Sequence, residues 1–222
     1  RPEDRVAMVA YAGSAGAVLG PTSGAQKLKM RCALGALEAG GSTAGGQGLA
    51  LAYALARETF DPRAVNRVIL MTDGDFNVGV ADPAKLKDVV AEKRKSGVYL
   101  SVYGFGGGNY NDTLMQALAQ NGNGTAGYID TLDEARKTFR DDFSGSMFPI
   151  ADDVKIQVEF NPSQVSEYRL IGYETRMLNR EDFNNDQVDA GEVGSGASVT
   201  ALYEITPAGA RPSSDPLRYG AT

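Results

Sequence analysis

The sequence of 222 residues has no histidine and only one cysteine, Cys32. Without histidine, the chain cannot build a Ser-His-Asp or Cys-His catalytic arrangement, and nearly all zinc sites are excluded. A single cysteine cannot form an internal disulfide. Because Cys32 falls in a stretch where apolar residues recur at a helical period, we predict a buried structural thiol there. No signal peptide or membrane-spanning run is recognised in the sequence.

The sequence also has fewer basic than acidic residues. The chain has 22 Lys and Arg against 28 Asp and Glu, for a net charge of −6. Phosphate backbones are bound by basic surfaces, so we predict that nucleic acid is not a partner and that cations or basic surfaces suit the chain better. The composition, with 42% hydrophobic and 23% charged residues, is that of a globular protein.

Strand and helix patterns alternate through about residue 145. Strands are predicted at 6–11 (buried), 17–19, 67–72, 98–105 and 128–129, and helices at 26–37, 49–60, 82–96, 111–122 and 131–143. This order predicts an α/β fold, a doubly wound, mostly parallel sheet with helices on both faces. Three later segments, 154–160, 168–173 and 199–205, alternate apolar and polar residues like half-buried antiparallel strands. We therefore predict an α/β domain at 1–148 and a smaller, incomplete β-rich region at 149–222.

An aspartate stands where a predicted buried strand ends. The apolar run 68–72 stops at Asp73, and ligands of open α/β sheets bind at the carboxyl ends of the strands. Thr43 lies in a loop with four glycines among residues 40–46, directly before a helix, and both loops can open onto the same edge. Hydroxyl and carboxylate oxygens suit Mg²⁺, Mn²⁺ or Ca²⁺. We predict a metal site at Thr43 and Asp73, with Ser42 and Asp75 in support. The alternative is a plain glycine loop and a turn or cap aspartate.

Four segments, in the same order along the chain, resemble a von Willebrand factor type A domain, in particular its bacterial cell-envelope branch. They are residues 2–13, 40–43, 68–79 and 101–106, and the resemblance covers about residues 1–147. The tail from residue 154 resembles the β-rich region that follows the domain in those proteins. The resemblance implies an extracytoplasmic location, in the cell envelope or secreted.

The resemblance also implies a metal-ion-dependent adhesion site. In the family, an Asp-x-Ser-x-Ser motif after the first strand, a threonine on a second loop and an aspartate on a third bind a divalent cation. An acidic side chain of a partner protein often completes the coordination. Thr43 matches the family's threonine and Asp73 its aspartate, so the function expected is protein binding rather than catalysis.

The sequence departs from the family at its start, because the matching segments begin with the family's second strand. We therefore expect the first strand and its motif to be missing from this chain, which is a fragment of a longer product unless another segment fills the gap. Asp142, Ser144 and Ser146 spell the motif, but they follow a polar helical stretch. We interpret them as a decoy; the alternative is that this segment folds back or pairs with a neighbouring chain.

A second group of oxygen ligands lies in the acidic segment 182–192. Asp182, Asn184, Asp186, Asp189 and Glu192 resemble the start of a calcium loop, although the glycine expected at its sixth position is missing. The alternative is an acidic, solvated hairpin loop.

Two other functions compete with metal-dependent binding. The first is a metal-free structural scaffold whose site is degenerate. The second is a Mg²⁺-dependent phosphatase with Asp73 as its nucleophile, because Asp73 and Asp75 follow an apolar strand as in haloacid-dehalogenase-like enzymes. Asn77 stands where that motif has Thr or Val. The glycine-rich segment 104–109 lacks the Lys-Ser/Thr of a P-loop, so no nucleotide is expected.

Overall fold

The structure is a computed structural model that describes residues 1–12, 15–38, 40–41, 45–73, 83–106, 111–173, 177–185, 188 and 190–214. Of these, residues 83–85 are described by their backbone only. None of the helices in these ranges is long and apolar enough to cross a membrane.

The helices are α1 (Lys27–Gly35), α2 (Gly45–Glu58), α3 (Pro83–Lys95), α4 (Asp112–Asn121), α5 (Leu132–Arg136) and α6 (Phe143–Met147), with a π-helical segment at Lys137–Asp141. The strands are β1 (Arg5–Ala10), β2 (Gly16–Ser23), β3 (Asn66–Thr72), β4 (Val98–Phe105), β5 (Ala126–Ile129), β6 (Pro149–Val154), β7 (Val165–Ile171), β8 (Gly191–Gly194) and β9 (Leu202–Pro207). Side chains cap two of the helices: Asn111 accepts a hydrogen bond from the Leu114 amide before α4, and Thr131 accepts one from the Glu134 amide before α5.

A parallel sheet in the order β3-β4-β5 forms the centre of the α/β part. One of its faces carries Leu70 and Leu100, which belong to the core on which α2, α3 and α4 pack. On the other face, Phe139 of the π-helical segment meets the ring of Tyr103 at 5.0 Å between centroids. Side chains of a strand alternate between faces, so helical segments cover both faces. The prediction of a wound α/β sheet is confirmed.

The hairpin of β1 and β2 forms a sheet of its own. It is antiparallel, and in the part of the chain that the structure describes β1 pairs with β2 alone. The prediction of a buried strand at 6–11 is wrong, because β1 runs from exposed residues at its start to half-buried ones at its end. A strand that is paired on one edge only leaves the backbone N–H and C=O groups of its other edge outside any ladder.

The region after residue 148 consists of antiparallel ribbons, as predicted: β6 pairs with β8, and β7 pairs with β9. The strand predicted at 154–160 is wrong, since β6 ends at Val154. Asp153 has a left-handed backbone (φ +53°) at an irregularity of the ladder, between the pairs Ala151–Val193 and Val154–Gly191; residues with a Cβ rarely adopt this conformation within a strand. Lys155 then turns inward, and only 7% of its side chain is exposed.

The buried cysteine predicted at position 32 is also wrong. Helix α1 forms where expected, but none of its residues is buried, and Cys32 is exposed. Leu28, on the same helix, is 75% exposed. The apolar period predicted the helix correctly, but within the described part of the chain no element covers the face that carries Cys32.

Candidate functional site

The carboxyl end of β3 places a buried and an exposed oxygen side by side. Thr72, the last residue of the strand, is 4% exposed, whereas the next residue, Asp73, is exposed. Gly106, just after β4, has φ +82° and approaches the Asp73 backbone carbonyl, to which an added Cβ would stand at 4.0 Å. The ends of two parallel strands therefore meet at this edge, where ligands of open α/β sheets bind.

Tyr11 reaches this edge from the end of β1. Its hydroxyl donates a hydrogen bond to the Met71 carbonyl and also interacts with the Thr72 side chain. Burial raises the pKa of the Tyr11 phenol, the Thr72 contact opposes that shift, and the negative charge of Asp73 raises the pKa further. Tyr11 is thus a neutral phenol close to Asp73, linking β1 to β3. Sequence reasoning missed it, although it follows an apolar strand just as Asp73 does.

The first turn of α2 lies against the same tyrosine. A Cβ added at Gly48 would stand 2.5 Å from Tyr11 Cβ and 2.9 Å from Tyr11 Cγ. Only glycine allows so close an approach between this helix and Tyr11. Through Tyr11, the beginning of α2 and the end of β3 therefore share one edge of the molecule.

The predicted threonine lies two residues before Gly45, the first residue of α2. Thr43, Ser42 and Asp75 lie outside the described residues. The pairing of Thr43 with Asp73 therefore remains a prediction, as does the phosphatase motif that requires Asp75.

The described residues at this edge supply some, but not all, of the oxygen ligands that a hard cation needs. Asp73 supplies one carboxylate, which forms no ion pair with a described residue. Among the residues described, no three acidic or cysteine side chains cluster as a metal site. A single carboxylate binds a cation such as Mg²⁺ with most of its waters retained. Further ligands are needed for tight binding, and the predicted one is Thr43.

The Asp-x-Ser-x-Ser lookalike lies on a helix. Asp142 precedes α6, and it follows the π-helical segment rather than a strand. The Ser146 hydroxyl donates to the Phe143 carbonyl of its own helix at 2.9 Å. Gly145, between the serines, packs directly on the backbone of Gly194 in β8. This setting agrees with the interpretation of a decoy.

A lysine side chain contacts the acidic segment 182–192. Lys155 Nζ donates to the Asn185 carbonyl at 2.9 Å and to Asp153 at 3.2 Å, while the other Asp153 oxygen accepts the Ala190 amide at 3.1 Å. An ammonium thus sits beside the loop where we predicted calcium. Sequence reasoning missed this role, because Lys155 lay in a predicted strand.

The predicted calcium ligands in this segment are only partly described. Asp182 accepts a hydrogen bond from Asn179, and Glu192 lies near Arg67 and Tyr99. Asp186 and Asp189 lie outside the described residues, and Asn184 is exposed. The calcium loop therefore stays a prediction.

Comparison with known proteins places these elements in a family. The von Willebrand factor type A domain family matches residues 1–141, and a family described as "Uncharacterized protein YfbK, C-terminal" matches residues 145–222. The chain is 48% identical over 219 residues to "Uncharacterized protein YfbK" of Escherichia coli (strain K12). The alignment covers 99% of this chain and 38% of that relative, so the chain spans well under half of its length.

Two solved structures share the fold. A von Willebrand factor type A protein from Catenulispora acidiphila superposes with a TM-score of 0.55 at 24% identity, covering 69% of this chain and 36% of that one. A conserved hypothetical protein, BatB, from Bacteroides thetaiotaomicron gives 0.50 at 23% identity, covering 64% and 78%. With the family match over most of the α/β part, the chain belongs to the von Willebrand factor type A family.

Proposed function

We propose that this chain is a non-enzymatic protein-binding module that holds a divalent cation at the carboxyl edge of β3. The cation bridges Asp73 to an acidic side chain of the partner protein. Domains of this family generally mediate protein–protein interactions. The observation that carries the proposal is the convergence on Tyr11 of the start of α2 and the end of β3, next to the Asp73 carboxylate.

In this proposal, Asp73 and Thr43 hold the cation, and Ser42 and Asp75 support it. The cation supplies a strong positive charge to which the partner's carboxylate binds. Tyr11 and Thr72 position the strand end that carries Asp73. Mg²⁺ is the first candidate, with Mn²⁺ and Ca²⁺ as alternatives, because all three prefer oxygen ligands.

The test is Mn²⁺ binding, measured by electron paramagnetic resonance of free Mn²⁺, in Asp73→Asn and in a matched control. Asp130→Asn is that control, because Asp130 is an exposed aspartate directly after β5, whose carboxyl end lies on the same edge of the parallel sheet. We expect Asp73→Asn to weaken Mn²⁺ binding at least about tenfold, roughly the contribution of one charged ligand. Asp130→Asn should bind Mn²⁺ like the unchanged chain. Equal Mn²⁺ affinity in all three proteins would reject the site.

Partner binding is tested with acidic peptides selected on the chain in the presence of Mg²⁺. A bridging cation predicts that EDTA releases such a peptide, that Mg²⁺ restores its binding, and that replacement of its carboxylate by the amide abolishes it. Peptide binding that persists in EDTA and in Asp73→Asn would favour the metal-free scaffold instead.

A further inference from the structure

A groove runs between α2 and α3 on the outer surface of the α/β part. Its volume is about 430 Å³, and its apolar wall includes Leu49, Tyr53, Leu86 and Val98. This volume falls within the range of small-molecule sites, roughly 300–1,000 Å³. From Leu49 to Arg57, nine residues of α2 extend along it, about 12 Å from first to last at the helical rise.

The groove has one cationic end. Helices α2 and α3 each lead into a strand of the same parallel pair, β3 and β4, so the two helices run in the same direction. Arg57 and Lys93 stand in their last turns, and both line the groove. Val98, the first residue of β4, lies at this end too. The cationic end therefore faces the amino edge of the sheet, opposite Asp73.

The two cations have no anion to balance them within the described structure. Among the described residues, no acidic side chain lines the groove, and neither Arg57 nor Lys93 forms an ion pair. The carboxyl ends of two helices add partial negative charges of about −0.5 each, which the two full positive charges exceed. The end of the groove thus favours an anion, while its wall favours an apolar chain.

The wall also contains the buried side chain of Tyr53. It is 4% exposed, and its hydroxyl has no hydrogen-bond partner among the described residues. Burial raises the pKa of this phenol, so it stays protonated at neutral pH. Buried polar groups are almost always paired in native proteins, so the buried Tyr53 hydroxyl is an exception among the described residues.

We infer that the groove between α2 and α3 binds a small amphipathic carboxylate, a saturated chain whose carboxylate head lies between Arg57 and Lys93. The volume and the apolar wall favour binding of the ligand's saturated chain, and the two cations favour binding of its carboxylate. A protein segment fits less well, because stable protein interfaces bury about 800 Å² on each side, far more than a slot of two helical turns offers. The inference is independent of the metal site at the other edge of the sheet.

The test titrates the chain with octanoate and follows the side-chain methyl resonances by NMR. Octanoate should shift the methyls of Leu49, Leu86, Val89 and Val98, with saturation below about 5 mM. Octylammonium, with the same chain and the opposite charge, should shift them much less. If octanoate leaves these methyls unmoved, or octylammonium binds as tightly, the inference is wrong.

Variants test the binding of the carboxylate head and that of the alkyl chain separately. Arg57→Gln with Lys93→Gln should weaken octanoate binding at least about tenfold, as the loss of charged hydrogen bonds does. Ala54→Phe, at an exposed lining position, should fill the groove and abolish binding. Lys95→Gln is the control, because Lys95 lies in the same last turn of α3 but outside the lining. Octanoate binding that is unchanged in the double variant, or lost equally in the control, would contradict the inference.

Discussion

Replacing Gly48 by alanine tests how closely α2 approaches Tyr11. The added methyl would stand 2.5 Å from Tyr11 Cβ and 2.9 Å from its Cγ. Tyr11 Cβ is bonded directly to the backbone, so no rotation of the tyrosine side chain can relieve the clash with this atom. Overpacking of this kind costs about 3 kcal/mol, at the upper end of its usual range. Alanine recovers about 1 kcal/mol through its better helix propensity.

The net expectation for Gly48→Ala is a loss of about 2 kcal/mol of unfolding free energy. For a chain of this size that lowers the melting temperature by about 4 to 8 °C. Thermal unfolding followed by circular dichroism measures the shift. The matched control is Gly35→Ala in α1, where an added Cβ meets nothing within 4 Å; it should leave stability unchanged or raise it by up to about 1 kcal/mol.

The same variant has a consequence for the candidate site. A displaced Tyr11 loses its hydrogen bond to Met71, and the strand end that carries Asp73 is held less firmly. If Gly48→Ala melts at or above the temperature of the unchanged chain, α2 does not lie against Tyr11. The convergence of α2, β1 and β3 would then have no basis.

Three further predictions concern other contacts. Ser101→Ala should cost about 1–3 kcal/mol in urea unfolding, because it leaves Arg67 Nη1 and the Thr125 amide, both donors to the buried Ser101 hydroxyl, without a partner; a cost below about 0.5 kcal/mol, typical of surface positions, would contradict it. Lys155→Met should speed hydrogen exchange of the Ala190 amide, because Asp153, which accepts the Ala190 hydrogen bond, loses its ion pair with Lys155. Lys137→Met, at an exposed ion pair, should not change this exchange. Equal exchange in both variants would contradict a role of Lys155 in holding Asp153. The hydroxyls of Ser214 and Ser213 lower the pKa of Glu167 to about 2 from 4.5. Because the folded pKa is depressed, this contact is present above pH 4.5 and is lost as the pH falls toward 2, so the Ser213 amide resonance should move in that window; a midpoint near pH 4.5 would refute the contact.

The sheet could be predicted closely where local pattern and tertiary structure agree. The run 98–105 is apolar and bounded by glycines, and β4 has those same bounds. Asn111 and Thr131 were recognisable as caps because capping is a local interaction between neighbours in sequence. Asp73 could be placed at a strand end because the apolar run before it is also a local pattern, and β3 ends at Thr72.

The incorrect predictions concern residues whose burial or backbone conformation depends on parts of the chain that are distant in sequence. The apolar period of α1 is real, yet Cys32 is exposed, since a period cannot tell how much neighbouring surface is available to cover it. The alternation at 154–160 predicted a strand, but Asp153 takes a left-handed backbone and Lys155 turns inward to it. Contacts of Tyr11 with Met71 join positions 60 residues apart, and no local pattern in one sequence reveals them.

The most direct test of the central claim is the broadening of backbone amide resonances by Mn²⁺ bound to the full chain. We expect the resonances around Thr43 and Asp73 to broaden together at low Mn²⁺ concentration, with both effects lost in Asp73→Asn and kept in Asp130→Asn. Broadening at only one of these loops, or confined to the segment 182–192, would show that the two loops do not share a cation and would contradict the account.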